Sequence, residues 1–132
     1  MKHPKKPVRR LCAAGLLAVL AAVGWYENYT VRVLTQTIAS ARLPEGFDGF
    51  RIAQIADLHA REFGKDNARL VELVRAQKPD LIALTGDLAD ERRDPAALRP
   101  FLRALCAIAP VYFVTGNHEW VLPKRTRQAM FR

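Results

Sequence analysis

The stretch Arg51-Ile-Ala-Gln-Ile-Ala-Asp57-Leu-His59 decides how the chain is read. An apolar run, Ile52 to Ala56, stops at an Asp and a His one residue apart. The run is short and partly β-branched, and it follows the turn residues Pro44-Glu-Gly46 and Asp48-Gly49. That pattern predicts a strand. Side chains i and i+2 of a strand share one side. Asp57 and His59 are therefore expected to present a carboxylate and an imidazole to one point beyond the strand. In open α/β sheets, sites are built outside the carboxyl ends of the strands.

Two later segments end in the same manner. Asp80 to Leu84 reads as a second buried strand, with Thr85-Gly86-Asp87 at its end and Asp90 nearby. Pro110 introduces a third, Val111-Tyr-Phe-Val114, which runs into Thr115-Gly116-Asn117-His118-Glu119. Between the first two, Leu70, Val71, Leu73 and Val74 fall at helical spacing. Asp66 or Asn67 is placed to cap that helix, and Lys78-Pro79 ends it. Leu98, Phe101, Leu102 and Leu105 form a second apolar stripe. Asp94 precedes it as a cap, with Pro95 at the first helical position and Pro100 as a kink or restart. Strand, helix, strand, helix, strand predicts an α/β fold. Its sheet is expected to be parallel, covered on both faces and joined by right-handed crossovers.

The 132 residues provide for one ordinary domain, and half of them are apolar, so the chain can bury a core. The net charge of +8 sits mostly at the ends. Lys2, Lys5, Lys6, Arg9 and Arg10 open the chain without an acid, and Lys124, Arg125, Arg127 and Arg132 close it. The body between them is close to neutral, so the basic face that a nucleic-acid partner needs is not supported. Cys12 and Cys106 lie far apart in any such fold and imply no disulfide.

From Leu11 to Tyr26 no residue is charged, and Trp25, Tyr26 and Tyr29 close the segment. A basic flank, an apolar run and interfacial aromatics together predict a membrane anchor over residues 11–27. The run is sixteen residues, slightly under the roughly 20 that cross a bilayer comfortably. A cleaved signal peptide and a buried helix are the other two readings. The anchor reading divides the chain into a basic cytoplasmic arm at residues 1–10, the anchor at 11–27 and a catalytic part at 28–132. By the basic flank, the arm stays inside and the rest lies on the extracytoplasmic side of the inner membrane. Val31 and Val33 alternate with Thr30 and Arg32, which predicts a further strand within Tyr29 to Ser40.

Three strand ends carrying Asp, His and Asn donors, with no Cys among them, suit a divalent cation such as Mn²⁺, Fe²⁺ or Zn²⁺. Two such cations about 3.5–4 Å apart can clamp the attacking and leaving oxygens of a phosphoryl displacement. Asp57-Leu-His59, Gly86-Asp87-Leu-Ala-Asp90 and Gly116-Asn117-His118-Glu119 resemble the first three motif blocks of the calcineurin-like metallophosphoesterases. The likeness runs from about Phe50 to Trp120 and includes the anchored bacterial branch of the family. It implies a layered metallophosphoesterase-type sheet and hydrolysis of phosphate esters by a metal-bound hydroxide at a two-metal site. Some members of that branch act on membrane-associated phospholipids or nucleotide sugars. By the resemblance, Asp57 and His59 bind the first metal, Asp87 bridges, and Asn117 binds the second. His118 faces the substrate phosphate, and Asp90 and Glu119 orient their neighbours. The family pattern also has a later His and a G-H-x-H block, and no histidine follows His118 here. His3 lies in the basic arm and cannot replace them. The alternative expectation is therefore an inactive truncated piece or a membrane-tethered α/β module, with the second half of the layered fold absent and one face of the sheet lacking its partner.

Overall fold

The structure is a computed structural model that describes residues 5–91 and 93–130. Residues 1–4, with Lys2 and His3 of the basic arm, lie outside the described residues, as does Arg132 of the basic tail. The chain divides into two units, one ending at Leu34 and one beginning at Thr35.

The first unit contains one helix, α1 (Lys5–Tyr29). Every described side chain on it is exposed. Among the described residues, no helix is long and apolar enough to cross a membrane, so the span expected at residues 11–27 finds no support. The uncharged run covers sixteen residues, about 24 Å at helical rise, against roughly 30 Å of hydrocarbon. The strand expected within Tyr29 to Ser40 does not form either. The helix runs to Tyr29, and residues 30–40 hold no regular structure. Alternation alone makes no strand without a ladder partner, and among the described residues no strand runs beside this segment.

The second unit follows the order read from the sequence. Strand β1 (Ile52–Ile55) is followed by α2 (Ala68–Ala76), β2 (Leu81–Thr85), α3 (Arg99–Cys106) and β3 (Val111–Val114). Two short helices, α4 (Asn117–Val121) and α5 (Lys124–Ala129), complete it. The sheet is wholly parallel, in the order β1-β2-β3. Ile55 pairs with Leu84, and Leu84 with Phe113. Asp94 accepts the amide of Ala96 at 2.9 Å, as an N-cap does, and opens a single 3₁₀ turn, Pro95–Leu98. Pro100 then sits in the first turn of α3, where a missing N–H does no harm. Asn67 precedes α2 in the left-handed conformation and makes no side-chain cap. Its Oδ1 instead accepts the amide of Phe63 at 2.8 Å.

The core lies on one face of the sheet. Ile82 and Leu84 of β2 are fully buried, as are Phe101 and Leu105 of α3, and Leu70, Val71 and Val74 of α2 are nearly so. The other face is open: Ile52, Tyr112 and Val114 are 61–65% exposed. Parallel strands alone predict cover on both faces, but the open face is the one expected to lack its partner when the second half of the layered fold is absent. Strands added in one direction by right-handed crossovers place every crossover helix on the same face. Within β1-β2-β3 the order does not reverse, so these crossover helices do not reach the second face.

Candidate metal centre

Parallel pairing brings the carboxyl ends of all three strands to one edge. Beyond β1 the chain does not continue as a strand. Asp57, His59 and Ala60 have φ of 52°, 48° and 52°. The convergence of Asp57 and His59 therefore comes from a left-handed turn and not from the strand pleat expected above. Leu58 between them is buried, 5% exposed, and anchors the turn from below. The turn is fastened to the loop after β2 by a continued ladder. The amides of Asp57, His59 and Ala60 donate to the carbonyls of Gly86, Asp87 and Leu88 at 3.2, 2.8 and 2.7 Å. Asp87 is itself left-handed, with φ 53°. Each such residue costs about 1–2 kcal/mol outside glycine, and Asp, Asn and His bear this conformation better than most. Clustered strain of this kind marks functional loops.

The result is a group of three donors. Ligand atoms of Asp57, His59 and Asp87 all lie within 4.8 Å of one another, with Asp57 exposed and the other two half-buried. His59 Nε2 stands 3.9 Å from Asp57 Oδ1. The His118 ring meets the His59 ring edge-on, with centroids 4.7 Å apart. His118 Nδ1 is buried without a hydrogen-bond partner among the described residues. Two carboxylates and an imidazole are hard-to-borderline donors, and a divalent cation fits them.

The loop after β3 closes on Asp87. The amide of His118 donates to Asp87 Oδ1 at 2.9 Å. Gly116 lies so close that a Cβ there would stand 2.2 Å from the same oxygen. Glu119 is fully buried and accepts the amides of Gly116, Asp87 and Ala89 at 2.8, 2.8 and 2.7 Å. Asn117 opens α4 with an exposed side chain. Asp90 is half-buried, and its carbonyl accepts the amide of Arg93 at 3.1 Å. Arg93 Nη1 donates to the carbonyl of Ala60 at 2.7 Å, which ties the 90–94 loop to the first turn. The Glu119 bonds had a readable signal, since a Glu three residues after a helix cap reaches back to the cap amide. The left-handed run had a weaker one, in the residue types themselves.

A family model for calcineurin-like phosphoesterases matches residues 50–131. The chain belongs to the calcineurin-like phosphoesterase family. Members of this family are phosphoester hydrolases that use divalent metals. The uncharacterized metallophosphoesterase YkuE of Bacillus subtilis is 31% identical over 131 residues, covering 87% of this chain and 46% of that protein. A second Bacillus subtilis phosphoesterase of the family, the uncharacterized metallophosphoesterase YkoQ, is 36% identical over 84 residues, 61% of this chain and 31% of its own length. A transmembrane protein with metallophosphoesterase domain of Danio rerio is 31% identical over 111 residues, 80% of this chain and 25% of that protein. The chain spans less than half the length of the curated relatives it matches. No solved structure matches it.

Proposed function

We propose that the chain is a metal-dependent phosphoesterase whose first cation is held by Asp57, His59 and Asp87. The carrying observation is the convergence of these three donors within 4.8 Å at one sheet edge. A second cation would take Asp87 and Asn117. A divalent cation supplies Lewis-acid charge to phosphoryl oxygens and lowers the pKa of a water it holds. The chain's own residues do the rest. Asp87 keeps its carboxylate fixed by accepting the His118 amide. His118, beside His59, would face the substrate phosphate as a charge stabiliser or as general acid to the leaving oxygen. Membrane-associated phosphate esters are the proposed substrate class, given the relatives named as transmembrane proteins.

The test is Mn²⁺ titration of the purified chain together with hydrolysis of bis(p-nitrophenyl) phosphate. Turnover that EDTA removes is the expected outcome. A second reading, a cation-binding module without turnover, draws on the count of donors: three converging groups serve one cation. One Mn²⁺ per chain with no hydrolysis would select it, and no bound Mn²⁺ would overturn both.

Membrane attachment through α1 is the companion proposal. It is supported by exposed Leu11, Leu17 and Trp25 (79%, 67% and 68%). The chain is expected to co-sediment with anionic phospholipid vesicles, and a Leu16→Glu, Leu17→Glu double variant to stay in the supernatant. Equal sedimentation of both would sink it.

A further inference from the structure

The loop after β2 is joined to its two neighbours by opposite chemistries. Toward β1 it offers carbonyls, those of Gly86, Asp87 and Leu88, and three amides of the first turn donate to them. Toward β3 it offers the amides of Asp87 and Ala89, and the facing loop brings the amide of Gly116. Three donors meet there, and backbone pairing cannot join donors to donors. Glu119 resolves the mismatch. A carboxylate accepts at both oxygens and donates at neither. Oε2 takes Asp87 and Gly116, and Oε1 takes Ala89, all at 2.7–2.8 Å and fully out of water.

We propose that Glu119 is the positioning residue of the metal cradle. By binding the two loops through their amides, it sets where the Asp87 carboxylate stands relative to Asp57 and His59. The inference rests on the metal reading above. Asp87 is held at both ends: its amide by Glu119, its Oδ1 by the His118 amide at 2.9 Å. Its left-handed backbone, φ 53°, makes the direction of the side chain follow the orientation of the peptide that Glu119 grips. Groups that stand behind metal ligands in this way typically change metal affinity 10–100-fold when replaced.

Glu119→Gln tests it, because the amide puts a donor where one acceptor stood. In the full chain, Mn²⁺ affinity by calorimetry is expected to fall about 10–100-fold. The amides of Asp87, Ala89 and Gly116 should exchange faster with deuterium, while those of Asp57, His59 and Ala60 keep their protection. Leu105→Ala, at a fully buried core position, is the control: it lowers Tm and leaves Mn²⁺ affinity as it was. Wild-type affinity in E119Q, at any Tm, overturns the proposal and leaves Glu119 a structural role only. If E119Q does not fold, Glu119→Asp, one methylene short, is measured against the same expectations. Failure of the wild-type chain to bind Mn²⁺ overturns the metal reading instead. The positioning role then stands only if the same three amides, and no others at this edge, lose protection.

Discussion

Asp87→Asn is expected to abolish Mn²⁺-dependent hydrolysis and to weaken Mn²⁺ binding by more than about 100-fold. That exceeds the usual effect of groups standing behind a ligand, because Asp87 is assigned as a ligand itself. It sits on the central strand of three and offers its carboxylate within 4.8 Å of the Asp57 and His59 donors. The substitution is nearly isosteric. The Asn oxygen can still accept the His118 amide, as Asp87 Oδ1 does now at 2.9 Å, and the main-chain bond to Glu119 is untouched. The fold should therefore survive with a small change in Tm. What is lost is the negative charge and one acceptor, replaced by an NH₂ that repels a cation. Calorimetric titration with Mn²⁺ beside a thermal scan separates the two effects. Unchanged Mn²⁺ affinity in a folded D87N protein would remove Asp87 from the cation site.

Gly116→Ala is expected to be the most disruptive single-methyl change at this edge. Its φ of −89° is ordinary backbone, so conformational strain is not the cause. The added Cβ would stand 2.2 Å from Asp87 Oδ1, and 2.6 Å from both Asp87 Cγ and Asp87 N. A carboxylate oxygen alone can swing aside, but the backbone nitrogen is locked to Glu119. The two loops must separate, which breaks the Glu119 bonds and moves Asp87 away from His59. Overpacking of this kind costs typically about 1–3 kcal/mol, and Mn²⁺ binding should be lost with it. Gly46→Ala, where a Cβ meets nothing within 4 Å, is the matched control and should be near neutral. Urea unfolding and Mn²⁺ titration of the pair give the answer. A G116A protein with wild-type stability and affinity would mean that the two loops are not packed as described.

The parts of this architecture that could be read from sequence are those written in local pattern. β3 was bounded by Pro110 and Gly116, and its four apolar residues form the strand found. Asp94-Pro95 announced its cap because the hydrogen bond is made within two residues. The meeting of Asp57, His59 and Asp87 followed from parallel pairing of strands that each end in donors. What escaped reading was non-local. Val31 and Val33 alternate as strand residues do, yet whether a strand forms depends on a partner elsewhere in the chain. The left-handed turn at Asp57 to Ala60 was hidden because a pleat and this turn bring the same two side chains together. Only the carbonyls of Gly86, Asp87 and Leu88 fix which occurs.

The one-directional sheet also sets an order of events during synthesis. Each strand lies beside the one made before it, so the contacts of each loop become possible in the order of synthesis. The first turn can gain its ladder once the loop after β2 has been made, since its partners are Gly86, Asp87 and Leu88. The carboxylate of Asp87, by contrast, waits for Gly116, His118 and Glu119 at the far end of β3. The proposed cradle can therefore close only once Gly116, His118 and Glu119 have been made.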